Sequence, residues 1–567
     1  MNTRKTKLAV CLFNLAALVV FFFLLIYSLT SNAVMVKVFS STSYYLISLM
    51  VVVWVVQIVL FLKALNFSLK LLLKKYWAGI LMALVLTSLV FVSVRVRFKT
   101  LSDETNLLSV SRSMLNDKNC LNPTIGKYFY GNLNVIHREM PKRPLMFPFM
   151  VHLLHTFTGF REQNPFIFNF IVMFLFLSGV YIGARKFLDV PSGVAAMFFV
   201  LSYPVFTIFG TSAGFDLLNS AFFVLIMAAT YYFLKRPSSV AFSFLFASLL
   251  VFSNIRYESM IFLFLVPLLL IKKIKWHYLR DCSYLFFITP LVNLPYLWQR
   301  IQKHSSLNPT ELPLFSLSSF GKNVTMFFKN LIDFDYFFPY AGFVSIVSIL
   351  IIIYLIVEVL RGKIKLEDYE RYFLVVLFAS IFISTILYFS HYFGVSTHPS
   401  TARFFITLSI VFAFAPTALK ILKPRCLSGA AFLIVSIACF LFYHPIAVEG
   451  RFINTLKLNR RTEHCLKFIS ELNDRNILIV SPRPGQYTAL GYGAVNFSYA
   501  NENRSSLLYE ASRHLYSKII VFQQIEYEGE RPTNDTVLHS DYKLKPLYEI
   551  QVSATTFLRI SEVEIAG

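Results

Sequence analysis

The sequence predicts an all-α polytopic membrane domain of about thirteen transmembrane helices, followed by a small C-terminal α/β domain outside the membrane. Composition is the first observation behind this: 56% of the 567 residues are hydrophobic and only 15% are charged, whereas a soluble domain carries roughly 25% charged residues. A chain so poor in polar groups cannot cover a globule of its size, which excludes a cytosolic enzyme. The second observation is the recurrence of apolar runs long enough to span a bilayer, and the third is a change of character near residue 446. The net charge of +23 lies between apolar runs rather than on a polar surface, so it does not indicate a nucleic-acid partner.

A helix needs about 20 apolar residues to cross the hydrocarbon core. Such segments lie near 8–30, 43–65, 77–96, 165–184, 193–210, 215–234, 238–254, 257–271, 282–299, 340–360, 372–390, 404–420 and 428–445. The weakest separations are at 238–271, interrupted only by Arg256 and Glu258, and at 193–234, interrupted by Asp216. The first segment follows Arg4, Lys5 and Lys7 like a signal peptide, but its apolar stretch is long and no small-residue cleavage site follows, so it reads as a retained anchor.

Orientation follows from the cations. With the N-terminus cytoplasmic, the inner segments hold clusters such as Lys70, Lys74 and Lys75, then Lys272, Lys273, Lys275 and Arg280, then Arg361, Lys363, Lys365 and Arg371. The short outer loops keep mainly Lys37, Arg256 and Arg403. The positive-inside rule then puts the tail outside. That tail reads as an amphipathic helix at 463–473, a strand at 476–480, a helix near 504–516, a strand at 518–522 and two strands near 546–560. Its acidic and basic residues are equal in number, so nothing in it reads as an anion-binding surface. Cys120 and Cys465 both fall outside, where a disulfide is permitted. No metal-type cysteine spacing, phosphate-binding glycine loop or nucleophile elbow is present.

Charges at a membrane edge are costly and mark functional candidates. Asp103 and Glu104, Asp216, Arg256 with Glu258, and Arg403 all fall at the outer face. The loop 97–163 is the richest outer stretch. Leu107, Leu108, Val110, Met114 and Leu115 have helical spacing and predict a short interfacial helix, and a second amphipathic piece covers 145–158. Between them lies a polar middle with His137, Arg138 and Glu139, then Lys142 and Arg143.

The segments DETNLLSVSRSML, PKRPLMFPFMVHLLHTFTG, GFDLLNSAFFVLIMAATYYFLKR, SNIRYESMIFLFLVPLLL and TARFFITLSIVFAFA resemble, in order and sidedness, those of the membrane glycosyltransferases of the C fold, which include protein O-mannosyltransferases and lipid A aminoarabinose transferases. The likeness covers roughly 77–445, which it marks as a catalytic membrane domain including the 97–163 loop, preceded by a two-helix segment at 1–76 and followed by the soluble domain at 446–567. The resemblance implies inverting transfer of a sugar from a polyprenyl-phosphate donor to an acceptor hydroxyl of a lipid, glycan or protein. It implies a multi-pass protein of the inner membrane with a periplasmic active site and tail, and no nucleic-acid partner.

On that reading Asp103 is the general base, with Glu104 beside it to orient a neighbour or hold a metal. Lys142, Arg143, Arg256 and Arg403 would face the leaving phosphate, where a low dielectric strengthens them. Asp216, Tyr257 and Glu258 are secondary candidates. Some family members bind a divalent metal ion in this loop. His137 and Glu139 could serve here, although Pro141 and Arg143 stand where the family has a Glu and a second Pro.

Each choice has a plainer counterpart. Asp103 and Glu104 could cap a helix, Lys142 and Arg143 could anchor to headgroups, Arg256 and Glu258 could be a structural ion pair, and Arg403 could be only a span boundary. His152, His155, His391 and His398 suit satisfied polar positions better than metal ligation. The competing functions are a lipid-linked glycan flippase or transporter, an O-antigen polymerase or ligase, and a receptor. A transport path needs polar groups through the bilayer depth; polymerases and ligases carry their long catalytic loop late in the chain; and the tail shows no receptor motif.

Overall fold

The computed structural model describes residues 3–129, 131–303, 313–332, 341–392, 394, 403–449, 457–527, 531–552 and 555–564. His398 and much of the 300–339 loop lie outside the described residues. The chain divides into two compact units. The first comprises 1–97, 143–147 and 165–451, and the second 98–142, 148–164 and 452–567.

Three long apolar helices open the chain: α1 (Thr3–Ser28), α2 (Asn32–Ala64) and α3 (Leu69–Ser93). Ser31 and Ser68 cap α2 and α3 by accepting the backbone N–H of Val34 and Leu71. The loop that follows forms α4 (Leu101–Asp117), the strands β1 (Asn122–Phe129) and β2 (Asn132–Glu139), and α5 (Met146–Thr158). The membrane unit resumes with α6 (Asn164–Arg185), α7 (Val190–Leu201), α8 (Pro204–Gly210), α9 (Asp216–Lys235), α10 (Ser239–Ser253), α11 (Met260–Leu269), α12 (Trp276–Asp281), α13 (Ser283–Val292) and α14 (Leu294–Lys303). It continues with α15 (Leu317–Ile332), α16 (Gly342–Leu360), α17 (Asp368–Ser390), α18 (Ile406–Leu422) and α19 (Gly429–Glu449).

Every apolar segment expected from the sequence is mainly helical where it is described. By length and composition, however, eight helices among the described residues can cross a membrane, or nine if the bent pair α7 and α8 counts as one. The expectation of about thirteen spans is not reached on that measure. Prolines account for part of the shortfall. Pro204 opens α8 and the two helices meet at 75°, as expected where a proline blocks the preceding helix from continuing. Segment 282–299 is likewise split at Asn293, between Pro290 and Pro295. Helices pack through aromatic and small residues: Trp298 of α14 is fully buried and donates its indole N–H to Ser28 Oγ at 2.8 Å, and Phe198 of α7 meets Phe440 of α19 with ring centroids 5.6 Å apart. Gly79 of α3 has no alternative, because a Cβ there would overlap the Tyr181 ring.

The second unit is built on one seven-stranded sheet of order β2-β1-β4-β3-β5-β7-β6. Its later elements are α20 (Lys457–Leu472), β3 (Ile477–Val480), α21 (Gly485–Ala489), β4 (Gly493–Val495), α22 (Phe497–Glu502), α23 (Arg504–Ser512), β5 (Lys518–Glu526), β6 (Leu544–Gln551) and β7 (Thr556–Val563). Strand β3 pairs in parallel with β4 and β5, and the outer pairs are antiparallel. All four residues of β3 are buried, Leu478 and Val480 among Val495, Leu507 and Tyr516 on one face, Ile477 and Ile479 among Cys465, Ile469 and Tyr487 on the other. That is why the strand reads as an unbroken apolar run.

The 97–163 loop differs from the expected pair of surface helices around a crevice. Its polar middle is a β-hairpin, and β1 extends the tail's sheet through the bridge between Gly126 and Ala494. Lys127 of β1 reaches Glu510 of α23 at 3.0 Å with its side chain 5% exposed. Helix α4 is largely buried rather than lying on a surface. Cys120 and Cys465 are both buried free thiols, so the permitted disulfide is not formed; burial pushes the Cys465 thiol up to about 12.

Removing the Lys127 charge strands the Glu510 carboxylate, a change of roughly 3 kcal/mol for a buried pair. Lys127→Met is expected to lower the unfolding temperature and open the hairpin to protease, read by limited proteolysis of the purified chain.

Candidate active site

In the membrane unit, five of the sequence-predicted residues converge. Asp216 is the first residue of α9, Arg256, Tyr257 and Glu258 occupy the turn between α10 and α11, and Arg403 begins the short 3₁₀ turn that leads into α18. Arg256 Nη1 bonds Asp216 Oδ1 at 2.6 Å and its Nε bonds Glu258 Oε2 at 3.3 Å. Arg403 Nη1 stands 3.7 Å from Asp216 Oδ2. Asp216, Arg256 and Arg403 are 1%, 2% and 2% exposed. Both guanidinium carbons lie over the ring of Phe215, at 5.5 Å and 5.9 Å from its centroid, which gives each cation an apolar wall and a favourable quadrupole.

Arg143 joins this cluster. Its carbonyl accepts from Gln299 of α14 at 3.0 Å, and its charge acts on Tyr257 and Glu258. Arg300 lies over the Tyr257 ring at 5.1 Å, and the Tyr296 hydroxyl donates to the Tyr257 carbonyl at 3.1 Å. Two buried guanidiniums thus share the one buried carboxylate of Asp216, an excess of positive charge, with the half-buried Arg143 and the exposed Arg300 nearer the surface. The sequence reading did not single out Phe215, Tyr296 or Arg300. The signal available for Arg300 was its place at the end of an apolar segment; Phe215 could not have been told from the other 60 phenylalanines.

The other candidates lie in the second unit. Asp103 and Glu104 occupy the first turn of α4 and are 6% and 1% exposed. Glu104 accepts the backbone N–H of Lys99 at Oε2 and of Thr100 at Oε1, at 3.0 Å and 2.9 Å. It therefore satisfies donors at the helix start, where a negative charge also complements the helix dipole. Lys142 is exposed. His137 and Glu139 sit on β2 with side chains 55% and 54% exposed and 4.0 Å apart, and the Thr124 hydroxyl lies 2.8 Å from His137 Nδ1. No group of three His, Cys, Asp or Glu side chains able to hold a metal exists among the described residues. Two separate strand residues do not make a divalent site, so the residues do not fit the metal expected from the resemblance.

His152 and His155 of α5 are buried. Asn164 Nδ2 donates to His155 Nδ1 at 2.6 Å, and Ser111, whose hydroxyl donates to the Leu108 carbonyl, receives the Nε2 proton at 3.1 Å. This arrangement satisfies a neutral imidazole, and burial lowers both histidines from 6.5 to about 4.

The family described as dolichyl-phosphate-mannose-protein mannosyltransferase matches residues 142–297. The crystal structure of ArnT from Cupriavidus metallidurans bound to undecaprenyl phosphate superposes with a TM-score of 0.50 and 11% identity, covering 85% of this chain and 97% of ArnT. The chain has a glycosyltransferase C-like fold. The archaeal oligosaccharyltransferase AglB from Archaeoglobus fulgidus, in complex with an inhibitory peptide and a dolichol-phosphate, matches at a TM-score of 0.40 and 10% identity, over 79% of this chain and 70% of that one. No curated protein sequence matches the chain. On this glycosyltransferase C-like fold, the matched stretch contains Lys142, Arg143, Asp216, Arg256, Tyr257 and Glu258, while Asp103, Glu104 and Arg403 lie outside it.

Two outcomes follow. Asp216→Leu leaves two buried guanidiniums without their shared carboxylate and should cost roughly 3–5 kcal/mol, whereas Glu258→Gln, at a side chain 37% exposed, should cost about 1 kcal/mol or less; thermal unfolding in detergent compares them. For His155, the folded value near 4 lies below the ordinary 6.5, so its contribution is complete above pH 6.5 and is lost as pH falls toward 4. Replacing it, as in His155→Gln, should flatten the loss of stability across that window in unfolding curves measured at successive pH values.

Proposed function

We propose that the protein is a membrane glycosyltransferase that moves a sugar from a polyprenyl-phosphate donor to an acceptor hydroxyl, with inversion, at the outer face of a bacterial-type inner membrane. The buried Asp216, Arg256 and Arg403 cluster, set in a glycosyltransferase C-like fold, carries this reading. Its excess cationic charge suits a phosphate whose bridging bond breaks, because negative charge grows on the leaving oxygens and fixed donors in a low-dielectric site favour the charged transition state over the ground state. Lys142, Arg143, Arg256 and Arg403 are assigned to that phosphate. Planar guanidiniums suit the task, since they grip phosphate oxygens in pairs.

Asp216 holds Arg256 and Arg403 in place rather than reacting. Asp103 is assigned as the base that takes the proton of the acceptor hydroxyl, with Glu104, which receives two backbone N–H groups, beside it. A groove of about 510 Å³ between α17 and α18, lined by Phe378, Ile381, Phe382 and Leu408, supplies an apolar surface for a prenyl tail. ArnT, bound to undecaprenyl phosphate, supports a donor of this class. The sugar and the acceptor are left open by these residues.

The test is sugar transfer by the purified protein from radiolabelled polyprenyl-phosphate sugars to candidate acceptors. Asp103→Asn should reduce turnover by about 10²–10⁴-fold without lowering the unfolding temperature. Wild-type rates in Asp103→Asn would remove the base assignment, and no transfer from any lipid-linked donor would overturn the function.

A further inference from the structure

The charges of the tail 446–567 balance in number, yet they do not balance in place. Strand β3 stops at Val480 while its parallel neighbour β5 runs on to Glu526. The chain leaves β3 for β4 on one side, and after β4 passes to β5 on the other. The carboxyl end of β3 is therefore a switch point, the position at which open α/β sheets leave a crevice.

A small cleft occupies that position, lined by Arg461, Thr462, Ser481, Arg483, Gln486 and Gln524 among others. Its charged lining residues among those described are Arg461 and Arg483. Arg461 is held by a bond from Nη1 to Gln524 Oε1. Arg483 follows β3 directly, its backbone N–H bonded to Ser481 Oγ at 3.3 Å. Gln486 is 6% exposed; its Oε1 receives the Thr462 hydroxyl at 3.3 Å, while its Nε2 is buried with no partner. An unsatisfied buried amide donor is costly, and here it lines a cleft that also contains two guanidiniums. The two cations act against each other, with Asp535 the acidic side chain in range of Arg483; burial first, and then Arg461, lowers the Arg483 pKa. Among the described residues, no acid lines the cleft itself.

We propose that this cleft is a binding site for a terminal phosphate group, with the oxygens received by Arg461, Arg483 and the free Gln486 amide. Two planar cations and a neutral donor suit a group with three acceptor oxygens, and the open side lets the remainder of the ligand extend into solvent. The enclosed free space of about 20 Å³ holds about one oxygen, so only the tip of the phosphate group enters and its other oxygens stay at the open side. The site lies entirely within the second unit and does not depend on the transferase assignment.

Inorganic phosphate is the probe, titrated calorimetrically into the full-length protein in detergent at constant ionic strength. Saturable binding is expected, weakened at least tenfold in Arg461→Gln and in Arg483→Gln. Gln486→Leu should weaken phosphate binding and also raise the unfolding temperature of the ligand-free protein, because it removes the unpaired donor. In nanodiscs, competition by phosphatidic acid over phosphatidylcholine would assign the phosphate to a lipid headgroup, and its absence to a soluble phosphate ester. Unchanged affinity in both arginine variants, equal binding of chloride, or a lowered unfolding temperature in Gln486→Leu would overturn the site.

Discussion

A carboxylate taken out of water must be paired, and in the membrane unit Asp216 is paired with Arg256 at 2.6 Å and with Arg403 at 3.7 Å. Those three residues come from the start of α9, the turn after α10 and the approach to α18. None of the charges can be left alone at such depth, so the three chain segments must meet for any of them to be accommodated. The ring of Phe215 fills the space between the guanidiniums. Packing, charge and the excess of cations thus arise from one requirement, and the proposed phosphate chemistry uses what that requirement leaves over.

The second unit obeys a different constraint. Strand β3 is too short and too apolar to stand at an edge, and it is buried on both faces. Covering it takes α20 on one side and the α22 and α23 layer on the other, while the sheet is lengthened on one flank by β1 and β2 from a loop more than three hundred residues earlier. The ion pair between Lys127 and Glu510, together with Tyr516 donating to Glu510 Oε2 at 2.9 Å, fixes that long-range junction. In the early loop the same sheet gives Arg138 an exposed partner in Asp117, a contact that adds little stability.

Much of this was legible in the residues. Apolar runs gave the helices, and Arg256 with Glu258 marked the break between α10 and α11. The apolar runs at 476–480 and 518–522 marked β3 and β5. The one local sign of the hairpin is Gly131, with φ of +78°, between its two strands, the usual mark of a tight turn. Its polar strand β2 lacks the apolar alternation that identifies a half-buried strand, since its outer residues face solvent. Glu104 shows the opposite difficulty: an acid at a helix start has the same sequence signature whether it caps or reacts, and only its two backbone bonds distinguish the roles.

By itself the sequence determined the membrane class, the helical segments and the set of charged residues that have to be accommodated, because hydrophobic periodicity and the cost of burying charge are properties of single segments. The tertiary structure decided which of those charges share a partner, that the early loop completes the tail's sheet, and that Arg461, Arg483 and Gln486 line one cleft in a tail whose charges sum to nothing. Pairing depends on distance between segments remote in the chain, and neither composition nor local spacing contains that distance.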